Sequence, residues 1–137
     1  MTSITEIAQA FFEACEAGQG WSACREYCSA DATFAAQAEP LAEVTTLQQY
    51  TDWMRELTHI LTDATYEVTS FATDAVRNNV CASAVFTGTH LAGGPCPPTG
   101  KRVVTDYVYV MQFSDGRITH MTKIWNSGLA LRQLGWA

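Results

Sequence analysis

Basic residues are scarce: eight Lys and Arg stand against fourteen Asp and Glu, a formal net charge of -6. Nucleic-acid binding needs a basic face that displaces counterions, so no nucleic-acid partner is expected. Long apolar runs are missing too. No stretch approaches the roughly 20 residues that span a bilayer, so no membrane partner is expected. The opening MTSITEIAQAFF carries acid early and lacks a basic n-region, and does not read as a secretory signal. The cysteines form no metal pattern. Cys15, Cys24, Cys28, Cys81 and Cys96 are odd in number. Cys24 and Cys28 fall on one expected helix, yet no His/Cys pair completes a ligand set. Buried thiols in a reducing cytoplasm are the expectation, with no metal and no cofactor.

What is present is one globular domain over residues 1–137, with 47% hydrophobic and 11% aromatic residues. No internal repeat or linker divides it. Ser3 and Glu6 form a capping box, after which Ile4, Ile7, Ala8, Phe11, Phe12 and Cys15 keep helical spacing until Gly18. A short helix follows from about Ser22, then a strand from Asp31 and a loop from Gln37 to Thr45. Thr46 and Gln49 form a second capping box, opening a helix whose stripe is Leu47, Tyr50, Met54, Leu57 and Leu61. Strands are expected over Thr65 to Thr73 and Val80 to Leu91, with a turn near Arg77-Asn78-Asn79. A loop containing Gly93, Gly94, Pro95 and Pro97 leads to a terminal hairpin and a short helix. Helices first and an antiparallel meander second define an α+β fold.

The hairpin organises the rest. Its first strand alternates Val103, Thr105, Tyr107, Tyr109, Met111 and Phe113 with Val104, Asp106, Val108, Val110 and Gln112, so both faces are largely apolar. A three-residue turn, Ser114-Asp115-Gly116, pairs Phe113 with Arg117, Tyr107 with Lys123 and Thr105 with Trp125. A two-residue Asp-Gly turn would shift this pairing by one and mix the faces. In the first register Tyr107, Tyr109, Met111, Met121, Lys123 and Trp125 share one face. Val104, Asp106, Val108, Val110, Ile118, His120 and Ile124 share the other. The apolar outer row Val104, Val108, Val110, Ile118 and Ile124 predicts a homodimer.

This layout, with Asp115-Gly116, Ile118 and Leu131-Arg132-Gln133-Leu134-Gly135, resembles the nuclear transport factor 2-like superfamily. Within it the chain is most similar to the SnoaL-like polyketide cyclases. Pro97-Pro98-Thr99 through Gly135 follows the cyclase pattern without a gap, and Gly88-Thr89-His90 also matches. The resemblance implies a cone-shaped, curved antiparallel sheet packed on three N-terminal helices around an internal pocket. It implies no transfer of the cyclases' acid/base pair, because their Asp falls at Lys123 and their His at Tyr109. The ketosteroid isomerase branch fares alike: its oxyanion tyrosine falls at Phe11 and its base at Ala36.

Three candidate polar residues follow: Lys123, Tyr109 and His90. An ammonium buried in an apolar cavity loses proton affinity and becomes a base or Schiff-base nucleophile; the structural alternative is a lysine paired with a carboxylate or reaching out of the mouth. Glu13 and Glu16 are the helix acids within reach, though both lie off the apolar stripe. Tyr109 either donates to a substrate oxygen or is a satisfied core tyrosine. His90 either titrates at the rim or ends its strand with a structural hydrogen bond. Phe12, Trp21, Tyr27, Phe34, Trp53, Met54, Tyr107, Met121 and Trp125 supply bulk suited to a ring-containing ligand. The readings that remain open are an enzyme acting on a small hydrophobic carbonyl compound, a protein that binds one without turnover, and an association module with a filled core.

Overall fold

The computed structural model describes residues 2–137. The elements in chain order are α1 (Ile4–Glu16), α2 (Trp21–Cys24), β1 (Cys28–Ala36), α3 (Leu47–Ile60), β2 (Thr65–Asp74), β3 (Asn79–Thr89), β4 (Arg102–Ser114), β5 (Arg117–Trp125) and α4 (Ser127–Leu134). Both capping boxes form. Ser3 Oγ accepts from Glu6 N at 3.1 Å, and Thr46 Oγ1 accepts from Gln49 N at 3.1 Å. Each ties down helix amides that would otherwise lack a partner. Past α1 the chain turns at Gly18, with φ +71°, directly against α3: a Cβ there would lie 2.3 Å from Thr58 Oγ1. Only glycine permits that approach.

The five strands make one curved, unclosed sheet in the order β1-β5-β4-β3-β2. The α+β class holds, but the sheet is mixed rather than wholly antiparallel. β1 runs parallel to β5, with Phe34 beside Met121 and Ala36 beside Lys123. A strand reached after two helices returns to the edge made by the last strand, and no local pattern announces such a pairing.

The hairpin also differs from the expected register. Its turn is the two-residue Asp115-Gly116, both with positive φ (52° and 75°), the conformation that tight hairpins favour. Ser114 pairs with Arg117 and Phe113 with Ile118, after which Gln112 pairs with His120. Thr119 is therefore an extra residue, a bulge that moves the pairing on by one and restores the expected parity of the faces. Tyr109 lies directly across from Lys123 and Tyr107 from Trp125. The inward set Tyr107, Tyr109, Met111, Met121 and Lys123 survives.

Ile118 does not stay in the outer row. The bulge turns it inward beside Phe113, where it is fully buried. The outer face retains Val104 and Ile124, 46% and 59% exposed, with Val108 and Val110 half-buried. Asp106 is exposed on that face, and His120 there hydrogen-bonds Thr33 Oγ1 at 2.7 Å. Cys15, Cys24 and Cys28 are buried free thiols. No described helix is long and apolar enough to cross a membrane.

Candidate functional site

A cavity of about 410 Å³ opens between α3, the first half of β4, the end of β5 and α4. Trp53, Met54 and Leu57 come from α3, and Val103, Thr105 and Tyr107 from β4. Lys123 and Trp125 close the inner end, while Leu134 and Trp136 form the far wall. Thr105 is held by Trp125 Nε1 at 3.3 Å, so its hydroxyl is partnered inside the wall.

Lys123 is 6% exposed. Its Nζ donates to Tyr50 Oη at 3.1 Å and lies 4.2 Å from the Trp125 ring centre, with Tyr50, Trp53 and Tyr107 also within cation–π range. Burial pulls its pKa down to about 8, against the opposing charge of Glu16. That charge is the carboxylate the hairpin lacks. Glu16, 4% exposed at the end of α1, also lines the cavity. Tyr107 Oη donates to Glu16 Oε2 at 2.8 Å, and Tyr109 Oη donates to Oε1. Burial raises the Glu16 pKa, while the Tyr109 bond, the Lys123 charge and the Tyr107 bond pull it back.

Tyr50 and Tyr109 join the two charges. Their hydroxyls hydrogen-bond each other, and both phenols are pushed above their ordinary range, chiefly by burial and next by the Glu16 charge. Phe34 stacks on Tyr50 with ring centres 4.3 Å apart, and Phe12 packs 5.5 Å from Tyr109. These two, with fully buried Met121, are packing behind the polar groups rather than cavity wall.

The sequence-predicted residues therefore separate. Lys123, Tyr107, Trp53, Met54 and Trp125 meet at the cavity, with Tyr109 just behind them. Trp21 and Tyr27 are outside its lining: Trp21 starts α2, where its N–H donates to Asp52 Oδ1 at 3.0 Å. His90 is fully buried and accepts at Nδ1 from Thr99 N (3.1 Å) and Trp136 Nε1 (3.0 Å). Nε2 therefore carries the proton given to Gly93 O, at 2.6 Å. The ring pins the loop before β4 and the tryptophan of the far wall, and both nitrogens are committed to that structure.

Sequence reasoning names Glu16 only as a helix acid within reach of Lys123 and does not single out Tyr50. Glu16 follows Ala8 and Phe12 at four-residue steps, which places it beside the buried stripe of α1. That spacing was the available signal. Tyr50 sits in the α3 stripe as one apolar position among several. Among the described residues, no three His, Cys, Asp or Glu side chains gather as a metal-ligand set.

The fold is one that other proteins share. Three solved structures superpose over nearly the whole chain. One is a proposed SnoaL-like polyketide cyclase from Jannaschia sp. CCS1, at TM-score 0.78 and 18% identity, covering 98% of this chain and 92% of that one. IdmH, a proposed polyketide cyclase from Streptomyces antibioticus, gives 0.75 and 21%, covering 98% and 99%. AclR, a proposed hydroxylase from Streptomyces galilaeus, gives 0.77 and 19%, covering 98% and 85%. At such identities the likeness is one of fold. No curated protein matches the sequence. The family model described as a SnoaL-like domain matches residues 8–121, and with it the chain belongs to the SnoaL-like family.

Proposed function

We propose that the cavity receives a small, flat, hydrophobic molecule bearing a carbonyl oxygen, and that Lys123 Nζ meets that oxygen. One observation carries the reading: a buried ammonium with a single hydrogen bond among the described residues lines a mostly apolar cavity. Two of its three N–H groups are left for a ligand. A cavity of about 410 Å³ is within the range of small-molecule sites.

The chemistry such a site supports is proton transfer beside a carbonyl. The ammonium stabilises negative charge developing on oxygen. With a pKa of about 8, about one lysine in ten is the free amine at neutral pH, and that amine is a base or nucleophile. Ring closure and isomerisation of ketones both fall in this class. A second reading, binding without turnover, is favoured by the replacement of the cyclases' Asp and His by Lys123 and Tyr109. On the outer face, exposed Val104 and Ile124 with half-buried Val108 and Val110 support a proposed homodimer.

An aromatic β-diketone tests the site. The Lys123 amine attacks one carbonyl carbon, a C–N bond forms and water leaves, giving an enaminone that absorbs in the near ultraviolet. The expected result is one enaminone per chain, absent in Lys123→Met. The chain has two lysines and the other, Lys101, is exposed, so the variant identifies the site. No adduct, or an adduct that survives Lys123→Met, overturns the reading. Deuterium exchange beside the carbonyl of β-tetralone separates the two alternatives: an enzyme accelerates it through Lys123, and a binding protein does not.

A further inference from the structure

The hydrogen bonds between Lys123 and Glu16 have only one consistent direction. An ammonium has no acceptor, so Tyr50 Oη must receive the Lys123 N–H. Tyr109 spends its single proton on Glu16 Oε1. The Tyr50–Tyr109 bond must then be donated by Tyr50. A continuous chain runs from ammonium to carboxylate through two hydroxyls, all four groups buried. Glu16 also lines a second cavity of about 410 Å³, bordered by Thr58, Thr62 and Thr65.

We propose that Glu16, Tyr109, Tyr50 and Lys123 form one proton relay, in which Glu16 sets the charge of Lys123 and takes up its proton through the two hydroxyls. Lys123 passes a proton to Tyr50 as Tyr50 passes its own to Tyr109 and Tyr109 passes its own to Glu16. The products are a neutral amine and a neutral carboxylic acid, with no proton gained or lost. Lys123 thus becomes a base while the cavity is occupied, and regains its proton by the reverse shift. Opposite charges held in low dielectric make the two forms close in energy, whereas either charge alone would be costly. Glu16 is a positioning residue in this scheme, acting through the tyrosines.

The groups facing Lys123 are Glu16 and Cys15 from α1, Tyr50 from α3, and Tyr107 and Tyr109 from β4. The Cys15 thiol is pushed up, first by burial, and stays neutral. Tyr107 is the internal control, because it donates to the same carboxylate without lying on the path.

The proposal rests on Lys123 being the group that meets the carbonyl, but its test needs no ligand, so either can fail without the other. The measurement is the titration midpoint of Lys123, read by NMR on protein carrying lysine labelled with carbon-13 at Cε. Glu16→Gln is expected to lower that midpoint so that proton affinity falls about tenfold or more, because the carboxylate helps Lys123 hold its proton. Repeated in a Tyr109→Phe background, the effect of Glu16→Gln should shrink to about a third or less. In a Tyr107→Phe background it should persist. An equal effect with and without the Tyr109 hydroxyl means that the hydroxyls carry none of the coupling, and the relay is refuted. Equal loss in the Tyr107→Phe background means the hydroxyls only keep Glu16 ionised, which refutes it too. Where Tyr109→Phe melts before the titration ends, Tyr50→Phe cuts the same chain at its other hydroxyl.

Discussion

Replacing Lys123 by Met is expected to make the protein more stable at neutral pH. The Lys123 pKa falls from 10.5 to about 8 on folding, with burial the leading cause. A gap of about 2.5 pH units means that the charged form costs the fold about 3 kcal/mol, at 1.36 kcal/mol per unit. The cation–π contact with Trp125, the nearest ring at 4.2 Å, opposes this by about 0.5–2 kcal/mol. The expected gain for Lys123→Met is therefore about 1–3 kcal/mol at pH 7, since the methionine stem fills similar space.

The pH dependence identifies the cause. Between pH 8 and 10.5 the unfolded chain keeps the lysine proton and the folded one does not, so wild-type stability rises with pH in that window. Below pH 8 the penalty is constant. The difference between variant and wild type should therefore be level up to about pH 8 and close towards pH 10.5. Urea denaturation of both proteins at pH 7, 9 and 10 measures it, because groups that do not face Lys123 titrate alike in both and cancel. A variant less stable by several kcal/mol at pH 7, with a gap indifferent to pH, would refute the reasoning. A buried charge kept at a cost in stability is what a functional site is expected to hold.

His90→Ala should cost about 2–4 kcal/mol and shift Trp136 fluorescence, because it strands the Thr99 amide and the Trp136 indole N–H; unchanged melting and emission would show the loop is held otherwise. Gly18→Ala should destabilise by about 2 kcal/mol or more, since φ is +71° and the new Cβ meets Thr58, and an unaltered urea midpoint would contradict that contact. Val108→Lys should weaken assembly, measured by light scattering, while leaving β-diketone capture at Lys123 intact; a wild-type particle of 15.0 kDa at micromolar concentration would dispose of the dimer.

The sequence by itself determined whatever rests on neighbours along the chain. The capping boxes at Ser3 and Thr46 were legible because each closes within three residues. The inward face of the hairpin was named correctly although its turn was not, because the Thr119 bulge restores the parity that the two-residue turn would have lost. The family ending from Asp115 to Gly135 supplied the fold. Tertiary structure alone decided the rest. The Thr119 bulge costs a ladder pair and is offset by burying Ile118 against Phe113, a balance invisible in alternation. β1 joins β5 across some ninety residues of chain, a closure set by the whole core. The sequence offered Glu16 only as one of two helix acids within reach of Lys123, and Tyr50 as one more apolar contact. Their roles exist only because α1 and α3 bring them against β4 and β5, where buried polar groups must find partners or be excluded, and here they found each other.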